Sequence, residues 1–384
     1  MKTQFLLDPE VAYLNHGSFG ACPKPIFDNF QHWQRELERE PVQFITKTAV
    51  KALEDAKHAL APFIGCRPED FFFTQNPTAA INQIVRSLDL GPGDEVLTTN
   101  HEYGAMDRTW RFYALKKGYR YVQQDIPLPV QSKEQILDAF WKGLTPNTRV
   151  VFLSHMTSAT ALIFPVQEIC EKAKSLGLIS IVDGAHVPGH IPLDIGSLQP
   201  DYYTGTLHKW MLAPKGSSFL YVARQHQETL DPLIVSWGYE SEAPSGNTFL
   251  DYNEIQGTRD IAAFLCTPAV MQFLQENQWA DVSRRCKDAI RQHYPAFCDL
   301  LDTRPICPLS DAFLGQMCSI PIQTPNPVAL KEALWERYSI EIPVMKRGND
   351  YLLRISMQGY NSESDLDRLR AALLELRQDS DLLA

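Results

Sequence analysis

The feature that most constrains this chain is an alternation of strand and helix patterns between residues 65 and 225. Phe71-Phe72-Phe73-Thr74 reads as a buried strand. From Thr78 to Leu88, apolar Ala80, Ile81, Ile84, Val85 and Leu88 recur at helical spacing. Glu95–Thr99, Arg149–Ser154, Leu178–Asp183 and Ser218–Val222 read as further strands. Pro165 to Leu176 reads as a helix with proline at its start, where a missing N–H costs little. Such alternation specifies an α/β architecture, a mostly parallel sheet with helices on both faces.

Residues 228–258 lose this periodicity and are rich in Gly, Ser, Pro and aromatics. A loop of that length inside a compact domain is usually functional or meets a partner. Beyond residue 261 the pattern changes. Helical stretches at 261–277 and 279–300 lead to short strands near 316–322, 340–345 and 351–356, with helices at 327–338 and 362–377. The expected organisation is a large α/β domain over 21–262 with a sheet of the seven-stranded type. A smaller α+β domain is expected over 263–384, joined by residues 1–20.

The 36 basic and 46 acidic residues leave a formal charge of −10. That argues against a general nucleic-acid binder, whose affinity rests on basic surface. No apolar run approaches the ~18 residues of a membrane span, and residues 1–9 lack the apolar core of a signal peptide. The eight cysteines form no CxxC pair, so no metal site is expected, and they read as reduced thiols in the cytoplasm.

Four features could carry chemistry, each where a strand ends. Lys209 lies in Thr206-Leu207-His208-Lys209-Trp210, after the short strand Asp201–Thr204. A desolvated lysine has a lowered pKa, which suits a Schiff base. Asp183, in Asp183-Gly184-Ala185-His186, closes the apolar run from Leu178. A carboxylate buried there needs a cationic partner, and a protonated ring nitrogen would serve. Thr78, in the turn Gln75-Asn76-Pro77-Thr78-Ala79, sits at a helix N-terminus suited to phosphate. Tyr103, in His101-Glu102-Tyr103-Gly104, could stack on a planar ring. Singly, each has a plainer reading: Lys209 as a surface lysine, Asp183 as a turn cap, Thr78 as a helix cap, Tyr103 and His186 as core residues. Their joint order argues for one site, with Lys209 lying 26 residues after Asp183.

With these motifs in view, the sequence resembles the class V aminotransferase branch of fold-type-I pyridoxal-phosphate enzymes, the branch that includes cysteine desulfurases. Within it the likeness is greatest to isopenicillin N epimerase-like proteins. The motifs are YLNHGSFG at 13–20, FTQNPTAA at 73–80, HEYGA at 101–105, SHMTSATALIFPV at 154–166, VDGAHVPG at 182–189, YYTGTLHKWMLAPKG at 202–216, IQGTRD at 255–260 and LLRISMQGYN at 352–361. They span nearly the whole chain. The resemblance implies pyridoxal 5′-phosphate as cofactor, with Lys209 as the Schiff-base lysine and Asp183 as partner of the pyridine nitrogen. It implies that Thr78, the Ala79 backbone, Thr206 and His208 hold the phosphate, and that Tyr103 stacks on the ring. His186 and Ser158 would flank the phenolic oxygen; many relatives have asparagine in place of Ser158. Arg354 is similar to the arginine that grips the substrate α-carboxylate, with Asn15 and His16 nearby. Gly257 and Thr258 resemble a segment that reaches the phosphate of a neighbouring subunit, which implies a homodimer.

The implied activity is chemistry at the α-carbon of an amino acid or small peptide, as an epimerase, a racemase or a C–S lyase. A class V aminotransferase is the alternative. Cysteine desulfurases of this branch need a cysteine in the loop before the Arg354 position, and Ile340–Asp350 contains none. A nicotinamide-dependent oxidoreductase would need a GxGxxG turn, which is absent. A binding protein on the same fold is a third reading. His16 and Tyr239 are candidates for a second base.

Overall fold

The computed structural model describes residues 1–383. Its centre is a seven-stranded sheet of β1 (Phe71–Thr74), β2 (Glu95–Thr99), β3 (Arg120–Gln124), β4 (Thr148–Ser154), β5 (Ile179–Gly184), β6 (Tyr202–Thr206) and β7 (Ser218–Val222), in the order β1-β7-β6-β5-β4-β2-β3. Only β7 runs against its neighbours; the contacts from β6 through β5, β4 and β2 to β3 are all parallel. The expected architecture is therefore observed.

Side-chain alternation explains why both faces are covered. Phe71, Phe73, Leu97, Val151, Leu153, Val182, Tyr203 and Phe219 point into one core, and Phe72, Val96, Val150, Phe152, Ile181, Tyr202 and Leu220 into the other. Strands buried on both faces read as continuous apolar runs, as these do. Phe71, Phe72 and Phe73 are at most 2% exposed, and full burial of each contributes about 1.5–3 kcal/mol.

A second sheet joins β8 (Met317–Ile322), β9 (Val344–Arg347) and β10 (Asp350–Ser356), antiparallel in the order β9-β10-β8. Near the N-terminus, Ala12–Tyr13 pair in parallel with Ile340–Glu341. Register puts Arg354 opposite Ser319, and on that face Ser319 Oγ donates to Ala159 O. The same face thus packs on the 154–162 segment that follows β4.

Three parts differ from the sequence expectation. Strand β3 was not anticipated, because Tyr121-Val122-Gln123-Gln124 forms a half-buried edge with polar side chains. Helices at Lys24–Arg39 and Ala49–Ile64 precede the first strand. The 228–258 stretch contains a helix, Thr248–Glu254, capped by Asn247, whose side chain accepts from Leu250 N–H.

Candidate active site

Parallel strands end together, and loops at their carboxyl ends can converge on a ligand. Register aligns Ser154 of β4 with Asp183 of β5, and Asp183 with Thr204 of β6. Above them lies a cavity of about 130 Å³, lined among others by Thr78, Tyr103, Ser158, Asp183, His186, Thr206, His208 and Lys209. Larger concavities of about 840 and 900 Å³ lie elsewhere, but neither touches these groups.

One end of the cavity is the start of the helix Pro77–Ser87. Asn76 is its N-cap, accepting from the Ala79 N–H at 2.9 Å. This revises the expectation for Ala79, whose backbone donor is already engaged. The Thr78 hydroxyl, by contrast, carries no hydrogen bond among the described residues and lines the cavity. Thr206 Oγ1 is buried without any partner among the described residues. His208 Nδ1 lies 2.8 Å from Ser217 O, so it donates there and leaves Nε2 for a ligand. Burial lowers the His208 pKa to about 4.

Asp183 is 2% exposed. Its Oδ1 accepts from Ala185 N–H at 2.9 Å. Burial raises its pKa to about 6, against the opposing pull of the Ala185 N–H and of Lys209. Lys209 Nζ lies 3.3 Å from His186 Nε2. Although its side chain is open to the cavity, it is shielded from bulk water; burial, then the Arg354 charge, lowers its pKa to about 7, with Asp183 opposing. Its carbonyl accepts from Leu212 N–H and from His16. Leu212 adopts φ 67°, a strained value for a bulky residue, in order to close that turn.

Arg354 is 1% exposed, does not itself line the cavity, and pairs with no carboxylate among the described residues. It donates to Ser158 O at 2.7 Å, Ser158 Oγ at 3.3 Å, Ser18 Oγ at 2.8 Å and Asn15 Oδ1 at 3.4 Å, while its Nε has no partner. Burial lowers its pKa to about 10. Asn15 in turn donates its amide N–H to Glu341 Oε1 at 2.9 Å. The N-terminal segment reaches this place through Gly20, at φ +68°, where a Cβ would lie 2.4 Å from His208 O. Only glycine permits that approach.

Some expected residues lie elsewhere. His16 is fully buried behind Lys209, with Nδ1 on Tyr360 OH at 2.9 Å and Nε2 on Lys209 O at 3.0 Å. Neither nitrogen faces the cavity, so direct substrate contact or service as a second base does not fit its position. Tyr239 is half exposed and does not line the cavity. Gly257 and Thr258 are exposed and likewise outside it.

Sequence reasoning missed Glu102. It is buried between strand ends, accepting from Thr99 Oγ1 at 2.6 Å, Ser154 N at 2.8 Å and Ser154 Oγ at 2.7 Å. Burial raises its pKa to about 8, and nearby Asp183 adds to the rise. No cysteine lines the cavity, and Cys318 is buried in β8 with its pKa raised well above the ordinary value.

The model of the aminotransferase class V family matches residues 22–369. The chain belongs to that family. Isopenicillin N epimerases of Amycolatopsis lactamdurans and Streptomyces clavuligerus are each 34% identical to it, over 98% and 97% of this chain and 97% and 96% of theirs. A probable chloroplastic L-cysteine desulfhydrase of Arabidopsis thaliana is 27% identical over 97% of this chain and 84% of its own. Among solved structures, a cysteine desulfurase from Thermococcus onnurineus NA1 superposes with TM-score 0.82 at 20% identity, covering 98% of this chain and 97% of that one. A cystine C–S lyase in complex with cysteine persulfide gives 0.80 at 22% identity, covering 96% and 98%. These two show the shared fold.

For this class V aminotransferase-family chain the cofactor is pyridoxal 5′-phosphate, and the residues present fit it. The unpartnered Thr206 hydroxyl and free Thr78 hydroxyl suit a phosphate. Asp183, raised to about 6 by burial with only the Ala185 N–H and the Lys209 charge opposing, suits a protonated pyridine nitrogen as a further cationic partner. The Lys209 amine, at about 7, is neutral in about half the molecules near neutral pH, and that form can join an aldehyde.

Proposed function

We propose that this chain acts at the α-carbon of an amino acid or small peptide, as an epimerase or racemase or as a C–S lyase. One observation carries the reading: Arg354, buried and without an acidic partner among the described residues, bonds to Ser18 and Ser158 of the cavity wall and is near enough for its charge to lower the pKa of the Lys209 amine. A buried guanidinium is costly unless an anion meets it. A substrate bearing both a carboxylate and an amine would satisfy Arg354 and reach Lys209 together. The curated relatives support the same reading, being named as isopenicillin N epimerases and L-cysteine desulfhydrases.

When bound, pyridoxal 5′-phosphate withdraws electrons from the α-carbon of an amine joined to it. The chain's residues would do the rest. Thr78, Thr206 and His208 hold the phosphate, Asp183 faces the pyridine nitrogen, and Tyr103 covers the ring. Ser158 and His186 lie by the phenolic oxygen. Arg354, steadied by Asn15 and Ser18, takes the substrate carboxylate bidentately. Lys209 holds or returns the α-proton at Nζ. Transamination shares these early steps and is the second reading. With no thiol in the cavity, a cysteine persulfide route has no nucleophile.

We also propose a homodimer, in which Gly257 and Thr258 of one subunit approach the other's phosphate. Their exposure outside this chain's own cavity supports it, as does apolar Ile234, Val235 and Trp237 left exposed on the 228–247 loop. The division into 21–262 and 263–384 with 1–20 is supported by the separate sheets. A cytoplasmic location is supported by eight unpaired cysteines. No described helix is long and apolar enough to cross a membrane.

The test is a substrate screen of the full chain with pyridoxal 5′-phosphate, using amino acids and small cysteine-containing peptides. Inversion at Cα, or release of pyruvate, ammonia and sulfide, supports the reading. Keto-acid-dependent amino transfer without either would replace it with the aminotransferase.

A further inference from the structure

Trp210 follows Lys209 and is fully buried among three histidines that are themselves at most 2% exposed. The His190 ring stacks on its indole at 3.8 Å and the His16 ring lies tilted at 4.8 Å. Its Nε1–H donates to His186 Nδ1 at 3.3 Å. An indole N–H can only donate, so His186 Nδ1 must be the bare nitrogen. The neutral ring then carries its proton on Nε2, and that N–H faces Lys209 Nζ at 3.3 Å. The surroundings keep the ring neutral: burial lowers its pKa well below the ordinary value, and Lys209, Arg354, His190 and His16 add to this. The other two histidines are locked as well. His190 Nδ1–H donates to His186 O at 2.9 Å, and His16 spans Tyr360 and the Lys209 carbonyl.

We propose that Trp210 is a positioning residue that fixes His186 in its Nε2–H tautomer, so that His186 presents a hydrogen-bond donor to the Lys209 amine. A donor stabilises the neutral amine and opposes the ammonium. The neutral amine is the form that joins an aldehyde and that accepts an α-proton. The same N–H would point at the phenolic oxygen of a bound cofactor. The charged groups facing the Lys209 amine are Asp183, which favours the ammonium, and Arg354, which opposes it. On the same loop His208 precedes Lys209 and Lys215 follows it, Lys215 donating to Gly20 O and its charge lowering the His16 and His208 pKa values. The inference rests on Lys209 being the cofactor-bearing lysine.

Trp210→Phe keeps a ring against His190 and His16 but removes the donor. His186 can then carry its proton on Nδ1 and accept from a Lys209 ammonium through Nε2. The measurement is the pH dependence of the rate at which cofactor-free full-length protein, mixed with pyridoxal 5′-phosphate, develops the lysine-linked absorbance band. The midpoint should move up by about one pH unit, the size of one hydrogen bond. In a His186→Gln background the same change should leave the midpoint where it is. An unmoved midpoint in Trp210→Phe, or equal shifts in both backgrounds, overturns the proposal. A lysine-linked absorbance band that still forms in Lys209→Ala would instead overturn the assignment of Lys209. Imidazole 15N shifts of the histidine-labelled wild-type protein, assigned by loss of the His186 signals in His186→Gln, need no folded tryptophan variant. They should show Nδ1 bare and Nε2 protonated; a protonated Nδ1 refutes the idea.

Discussion

The Arg354 guanidinium donates to the Ser158 carbonyl oxygen at 2.7 Å, and among the described residues no carboxylate lies within ion-pair distance of it. It is a buried cation steadied by neutral acceptors alone, which leaves it able to take an anion from outside the chain.

Arg354→Met should therefore separate stability from activity. Replacing a buried, unpaired charge with an apolar side chain is often neutral or stabilising by about 1–4 kcal/mol. The freed Ser158 carbonyl offsets part of that, at about 1 kcal/mol. Thermal melts of the cofactor-free variant should match or exceed the parent, while kcat/KM falls by about 100-fold or more, mostly through KM. A loss of several kcal/mol in stability would mean that the guanidinium is a structural cross-link.

Thr206→Val tests the phosphate end. The Thr206 hydroxyl is buried without a partner, a condition that costs about 1–3 kcal/mol. Without cofactor, the variant should melt at or above the parent temperature. Its affinity for pyridoxal 5′-phosphate, read by equilibrium dialysis, should fall by about tenfold, one hydrogen bond's worth. Unchanged affinity would remove Thr206 from the site.

Glu102 predicts a pH dependence. Its folded pKa of about 8 stands above the ordinary 4.5, so the fold favours the protonated acid. That contribution is complete below about pH 4.5 and is lost as pH rises to 8. Glu102→Gln keeps an oxygen for the Ser154 donors and removes the titration. Lys209 titrates in both proteins and cancels in the difference, whereas Asp183 repels a charged Glu102, and losing that repulsion shifts the difference in the same direction. Between pH 5 and pH 8 the denaturant stability of the variant should gain on the parent by a few kcal/mol, roughly 1.4 per pKa unit. A difference that stays flat with pH would show Glu102 to be charged at both ends of the range.

How much of this could be read in one dimension depends on where a residue's partners lie in the chain. Asp183 and Lys209 were legible because each is a charged residue at the end of an apolar or aromatic run, where burial forces a question about partners. Glu102 was not, because it looks like an ordinary loop acid; the Ser154 N–H and hydroxyl that hold it come from another strand. His16 was singled out but misplaced, since its partners lie 193 and 344 positions away. The Asn76 cap stood beside Thr78 in the same turn, and only geometry shows which side chain reaches the Ala79 N–H. The edge strand Arg120–Gln124 escaped because half-buried polar positions erase the apolar signal that marks its neighbours.

The account stands on Lys209, whose identity as the cofactor-bearing amine can be tested in one cuvette. Lys209→Ala protein mixed with pyridoxal 5′-phosphate should bind the cofactor through Thr78, Thr206, His208 and Asp183. It should lack the visible absorbance band of the lysine-linked form that the parent shows. A normal band in Lys209→Ala would contradict the account.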